Sequence, residues 1–226
     1  MGRGLKKSPA YLGLDTSLKG LKMAIFSEEG GLLASYTDFQ NPASCSLTLA
    51  LKALLRAYNL NLEEIKGFMV IKGPGSFTGL KVGVSFVKGL ALSMDRPVVA
   101  VTTLKALALT AVSLTSLQEG EVTSLLPALK GELFYTHFFL RDGKLEELST
   151  GLGKPFLKEE ALKVTGGRLE ELFLHCTGCL YLPYGPLLES WGREGVNLFR
   201  ERKLEDPVLL EPCYGRDPEI RKPITS

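Results

Sequence analysis

The apolar run Gly67-Phe68-Met69-Val70-Ile71 passes almost directly into GPGSFTGLKVG, Gly73 to Gly83, and this join constrains the fold more than any other stretch. A strand, a glycine-rich bend and a helix start stand in one continuous piece, as expected of a lobe that mixes strands with helices. Gly73 and Gly75 permit positive φ or a close backbone approach, Pro74 fixes the bend between them, and Ser76 and Thr78 are both able to cap the helix that follows. Free N–H groups at such a bend suit a phosphate, a carboxylate or a partner's backbone. The motif is not a Walker A loop, and Thr78 stands where the dinucleotide fingerprint GxGxxG requires a glycine. By itself the elbow therefore says anion-friendly bend, or close packing of a helix on its own strand, and no more.

Composition narrows the function classes. The 226 residues are enough for a substantial core, in one large domain or two smaller lobes, and 45% hydrophobic with 23% charged residues is ordinary globular usage. A net charge of +2, with its basic residues scattered, lacks the dense Lys/Arg stripe of a polyelectrolyte binder. No apolar run is expected to reach the length of a membrane span, and MGRGLKKSPA leads into a short strand rather than a signal core, which places the chain in the cytoplasm. Four cysteines in this length do not suggest a disulfide framework.

Periodicity predicts strands over 11–14, 21–27 and 32–36 as an antiparallel meander, a helix over 46–58 with Ser44 or Ser46 as its cap, a strand over 67–71, a helix over 78–93, a strand over 97–101 and a helix over 103–112. Further on the pattern weakens to strands over 121–128 and 133–140, a turn at Asp142-Gly143, a short strand, a helix near Lys158 to Lys163, a strand from Leu172 to His175 and a helix from Leu187 to Arg202. No internal repeat is visible. The lobe boundary falls near residues 101–118, dividing the chain into residues 1–110 and 111–226, with the last helix free to pack back on the first lobe.

LGLDTSLKGLKMAIF, GPGSFTGLKVG, KGLALSMDRPVVAVTTLKALA and EPCYGRDPEI, in that order and spacing, together resemble the TsaB (YeaZ) family. The resemblance implies an α/β ASKHA fold, actin-like and RNase H-like, with two related lobes. It implies a non-catalytic subunit that binds and activates TsaD in making N6-threonylcarbamoyladenosine at position 37 of tRNAs reading codons that begin with A. The expected partners are TsaD in a heterodimer, the ATPase TsaE, and tRNA through the complex, with a homodimer when the chain is alone. No cofactor is expected on this chain by itself, and ATP or ADP only in the complex. The helical layer is the expected TsaD side, through Leu47, Leu51, Leu54, Gly79, Val82, Gly83, Phe86 and Leu90.

The residues agree with a non-catalytic role. The metal-binding relative needs closely spaced histidines on a helix, whereas this chain has only His137 and His175. Where many family members carry a histidine before the first helix, the chain reads Asn41-Pro42-Ala43-Ser44-Cys45-Ser46, and the Asp-x-Arg that typically precedes Gly-Glu is replaced by Pro127-Ala128-Leu129. Asp15, Thr16 and Ser17, with Gly75 and Ser76, form the residual nucleotide signal, expected to act only at a shared interface; the plainer reading is a strand-end turn in which Asp15 bonds its own backbone. The CxxC of Cys176 and Cys179 lacks two further ligands and reads as an incidental turn, with a labile dithiol or metal site as the alternative. Two other activities are weighed: an ATP-dependent phosphotransferase using Asp15 and the Ser76/Thr78 elbow, and a peptidase-like relative, for which the chain shows neither metal nor triad.

Overall fold

The computed structural model describes residues 10–166 and 178–215. Three strands, β1 (Ala10–Asp15), β2 (Leu21–Ser27) and β3 (Leu32–Asp38), form the antiparallel meander. Helix α1 (Ala43–Ala57) carries the chain to β4 (Ile65–Ile71), which pairs parallel with β1. The elbow then opens α2 (Phe77–Met94), and β5 (Val98–Val101) pairs parallel with β4, giving the order β3-β2-β1-β4-β5. Parallel pairing needs crossovers of this length, and the helices supply them.

After α3 (Thr103–Thr115) the same plan recurs. Strands β6 (Gly120–Pro127), β7 (Leu133–Arg141) and β8 (Lys144–Gly153) make a second antiparallel meander. Strand β9 (Leu162–Gly166) pairs parallel with β6, and β10 (Cys179–Leu182) parallel with β9. The sheet order β10-β9-β6-β7-β8 is that of the first sheet, strand for strand, so the repeat invisible in the sequence is present in the topology. The result is a two-lobed ASKHA architecture.

Alternation along the strands decides what covers each face. Leu12, Leu14, Met23, Ile25, Phe68 and Val70 form one core with α1 and α2. The opposite face presents Ala24, Phe26, Met69, Val99 and Val101 to Trp191 and Val196 of α4 (Leu188–Arg200). Both faces of the first sheet are thus buried, which explains why β4 reads as an unbroken apolar run. Helix α3 reaches the other way, packing Leu104, Leu107, Ala108 and Ala111 on Val122, Leu126, Phe138 and Val164 of the second sheet. Each lobe ends in a helix that covers the other.

Four sequence expectations need correction or bounding. Residues 158–161 are not helical, and Leu162 begins β9. The strand after Asp142-Gly143 is ten residues long rather than short. Helix α2 is long and apolar enough to cross a membrane by length and composition, yet here Val84, Val87 and Ala91 lie in the core of the first lobe. The strand expected from Leu172 to His175 lies outside the described residues.

Candidate docking site at the glycine elbow

Helix α2 starts where it does because the Ser76 side chain accepts from the Gly79 N–H at 3.3 Å, an N-cap worth on the order of 1 kcal/mol. The bend is stitched to the end of β1: Ser76 N donates to the Ser17 carbonyl at 2.7 Å, and Thr16 Oγ1 donates to the Gly79 carbonyl at 2.7 Å. A Cβ at Gly79 would lie 2.1 Å from the Thr16 carbonyl oxygen, and one at Gly83 would lie 2.1 Å from Thr16 Oγ1. These two glycines therefore serve the close approach of α2 to the Asp15-Thr16-Ser17 turn rather than a partner's helix.

Asp15, Thr16 and Ser17 are brought beside Gly75 and Ser76, but all three are buried. The Asp15 carboxylate is engaged within the chain. Its Oδ1 accepts from Ser17 N at 2.9 Å and Ser17 Oγ at 2.6 Å, and its Oδ2 stands 2.8 Å from Lys22 Nζ. A carboxylate so committed has little left for a metal-bound phosphate, and the exposed members of the group are Gly75 and Ser76.

A cavity of about 200 Å³ opens between the N-termini of α1 and α2, lined by Asn41 to Ser44 on one side and by Ser76, Thr78 and Val82 on the other. The entry to α1 is fixed by Asp38, not by Ser44 or Ser46 as a cap; Pro42 occupies the N-cap position. The Asp38 carboxylate accepts from Gln40 N, Asn41 N and Asn41 Nδ2, each at 3.0 Å, and from Ser46 Oγ at 2.5 Å. These donors, Ser46 foremost, hold the Asp38 carboxyl well below the usual carboxylate range.

Burial redraws the partner-facing surface expected from the sequence. Leu47, Leu51 and Leu54 face inward, at most 8% exposed, because the apolar stripe of α1 seals the first sheet. Val82, Phe86 and Leu90 are half-buried against the same core. The surface of this layer presents Leu49 of α1 with Phe77 and Leu92 of α2, 50–62% exposed, and Gly89, beside which there is open space. The buried residues of α2 are Leu80, Gly83, Val84, Val87 and Ala91.

Two features escaped the sequence reading. Lys22 sits on the buried face of β2 in register with Ala24 and Phe26, and a lysine on a face otherwise wholly apolar was the available signal. The segment after α4 returns along α2: Lys72 pairs with Glu205 at 2.6 Å, Lys88 Nζ donates to the Val208 carbonyl at 2.6 Å, and Tyr214 stacks on Phe77 with centroids 4.7 Å apart. The last contact requires a fold and has no local signature.

Among the described residues no group of three His, Cys, Asp or Glu side chains could hold a metal. His175 and Cys176 lie outside them. Cys179, expected in an incidental turn, is disulfide-bonded, while Cys45 and Cys213 are free.

A family model described as TsaD, tRNA N6-adenosine threonylcarbamoyltransferase, matches residues 40–153, half of the chain. The tRNA threonylcarbamoyladenosine biosynthesis protein TsaB of Bacillus subtilis is 28% identical over 137 residues, covering 61% of this chain and 58% of that one. A tRNA N6-adenosine threonylcarbamoyltransferase of Maridesulfovibrio salexigens is 34% identical over 152 residues, covering 66% of this chain and 38% of that one. The matches span about half the length of the TsaB relatives, 58% and 42% for those of Bacillus subtilis and Escherichia coli. In fold, the chain is similar to YeaZ from Pseudomonas aeruginosa, with a TM-score of 0.77 and 22% identity over 91% of this chain and 99% of that one.

Proposed function

The chain belongs to the TsaB (YeaZ) family, and from that premise we propose that it is a non-catalytic subunit in forming N6-threonylcarbamoyladenosine at position 37 of tRNAs reading codons that begin with A. Its task is to dock on a TsaD-type transferase and raise its activity, in the cytoplasm. TsaE is a further partner, and tRNA is met through the complex.

One observation carries this reading. An apolar helix of 18 residues buries Leu80, Val84, Val87 and Ala91 in the first lobe while leaving Phe77 and Leu92 exposed, and its neighbour α1 adds the exposed Leu49. Apolar surface left open in this way is the ordinary mark of a protein interface. The engaged Asp15 carboxylate adds support, since it argues against the phosphotransferase reading. Any nucleotide held by the assembly would meet this chain at the joint, through the exposed Gly75 and Ser76.

The test is reconstituted tRNA threonylcarbamoylation with the cognate TsaD-type subunit and the threonylcarbamoyl-AMP synthase, with and without this chain, alongside size exclusion. Stimulation with co-elution is the expected result. Leu49→Asp combined with Leu92→Asp should abolish both while leaving the chain folded, because these side chains are already in water. A dimer of the chain alone that dissolves on adding the partner would show that both contacts use one face. Absence of both pairing and stimulation would sink the proposal.

A further inference from the structure

Lys22 is 6% exposed and Asp15 is 1% exposed, so both charges of this pair lie out of water. A buried ammonium is tolerated only if its protons find acceptors. Lys22 has three: Asp15 Oδ2 at 2.8 Å, the Tyr184 carbonyl at 2.9 Å and the Pro186 carbonyl at 2.6 Å. Two N–H groups donate to the carbonyls and the carboxylate oxygen stands beside the charge as its ion-pair partner, so the ammonium is compensated on three sides. The two carbonyls belong to the turn between β10 and α4, while Asp15 and Lys22 belong to the first lobe.

We propose that Asp15 Oδ2 and the Tyr184 and Pro186 carbonyls form a cation site between the lobes, which the chain fills with its own Lys22 ammonium. One carboxylate and two carbonyl oxygens are a hard donor set, suited to a small cation without demanding a transition metal. The resident ammonium latches the second lobe's turn to the first lobe. Neighbouring contacts run the same way: Leu187 N donates to Thr110 Oγ1 at 3.0 Å, and Tyr184 packs on Phe39 with ring centroids 4.7 Å apart. Leu18 lies against Gly185, where a Cβ would come within 3.0 Å of Leu18 Cδ1. From Asp15 the bonding continues through Ser17 to Ser76 at the start of α2, which connects the latch to the elbow.

Removing the side chain while leaving the oxygens should turn an internal ligand into an external one. Lys22→Ala is expected to lower the melting temperature. Ammonium or potassium chloride should then raise it along a saturable curve, as binding to the folded state requires. Tetramethylammonium chloride, too large for the vacated space, should not. The wild-type chain and the double variant Lys22→Ala/Asp15→Asn should show no such ion-specific curve. Equal ion responses in all three proteins, or none in Lys22→Ala, would overturn the proposal. A second readout needs no variant: in the wild-type chain the Lys22 ammonium should give a slowly exchanging NMR signal that correlates with its own side chain. Fast exchange with water there would overturn the proposal even if Lys22→Ala failed to fold.

Discussion

The two lobes share one strand order and one set of pairing senses, yet they are finished differently. The first sheet is covered on both faces, by α1 and α2 on one side and α4 on the other. Among the described residues a helix, α3, covers one face of the second, and residues 154–161, between β8 and β9, supply no helix where the first lobe places α1. Among the described residues, its other face holds the small cluster of Leu125 and Leu133 with Tyr135, Leu157 and Cys179. Topology can therefore be duplicated without duplicating the core. Helices α1 and α2 close one face of the first sheet and offer an outer surface, while α3 and α4 are exchanged between the lobes, each covering the sheet of the other.

A direct test truncates one large side chain on a sealed face of the first sheet and one on the thinly covered face of the second. Trp191 is fully buried, with Phe26 edge-on at 5.9 Å, and seals the side of the first sheet away from α1 and α2. Trp191→Ala should cost about 3–5 kcal/mol in urea unfolding. Phe139, half-buried on the face of the second sheet away from α3, makes its ring contact with Arg141 at 5.1 Å. Phe139→Ala should cost about 1 kcal/mol, within the ordinary range of single substitutions. Equal costs would mean that the second sheet is sealed on both faces as well.

A smaller effect sharpens the same contrast through addition rather than removal. A Cβ at Gly192 of α4 would lie 2.1 Å from Phe26 Cε1, inside a core where the ring has no room to turn. Gly192→Ala should therefore destabilise by about 1–3 kcal/mol. At Gly151 of β8 the obstacle is the Tyr135 hydroxyl oxygen at 2.6 Å, the far end of a half-buried side chain. Tyr135 can swing toward solvent, so Gly151→Ala should stay within about 0.5 kcal/mol of wild type, as surface changes do. A large loss at Gly151 would show Tyr135 to be locked in place.

What the sequence revealed follows the same division. The first lobe was legible almost to its strand ends, because its meander, elbow and apolar helix stripes are local patterns; β2 falls where alternation put it, over Leu21–Ser27. In the second lobe Lys158 to Lys163 has good helix formers, but pairing along β6 takes Leu162 into a strand and buries Val164 completely, so the sheet overrides propensity. Partner-facing and self-facing residues could not be told apart for a related reason. A helical stripe such as Leu47, Leu51 and Leu54 announces burial without saying against what, and here the answer is the chain's own sheet. Lys22 and its two carbonyl acceptors are separated by more than 160 residues, a juxtaposition that only the interlobe packing creates.

The smallest expected effect concerns pH and belongs to the second lobe. His137 on β7 bonds to Thr123 Oγ1 through Nδ1 at 2.9 Å and packs beside Tyr135 at 5.3 Å. Partial burial, the leading cause, pushes the imidazole below its ordinary value of 6.5, with Glu121 pulling upward and Lys158 pushing down. The folded chain thus takes up a proton less readily than the unfolded chain. The neutral ring's contribution is complete above about pH 6.5 and is lost as pH falls from there through the folded value. Because the ring is only half-buried, solvent screening should keep the loss to about 0.5 kcal/mol or less. Urea unfolding of wild type and His137→Gln at pH 8, 7, 6 and 5.5 would isolate it, since carboxylates common to both proteins cancel in the difference. Wild type should lose stability relative to the variant as pH falls. Asp38, held far below the usual carboxylate range at the entry to α1, undergoes its change at much lower pH, so the first lobe's acid response separates from that of the second. A difference that stayed flat, or reversed sign, would mean that the face bearing His137 is open to water in solution and that the contrast between the lobes is wider than the burial of its side chains indicates.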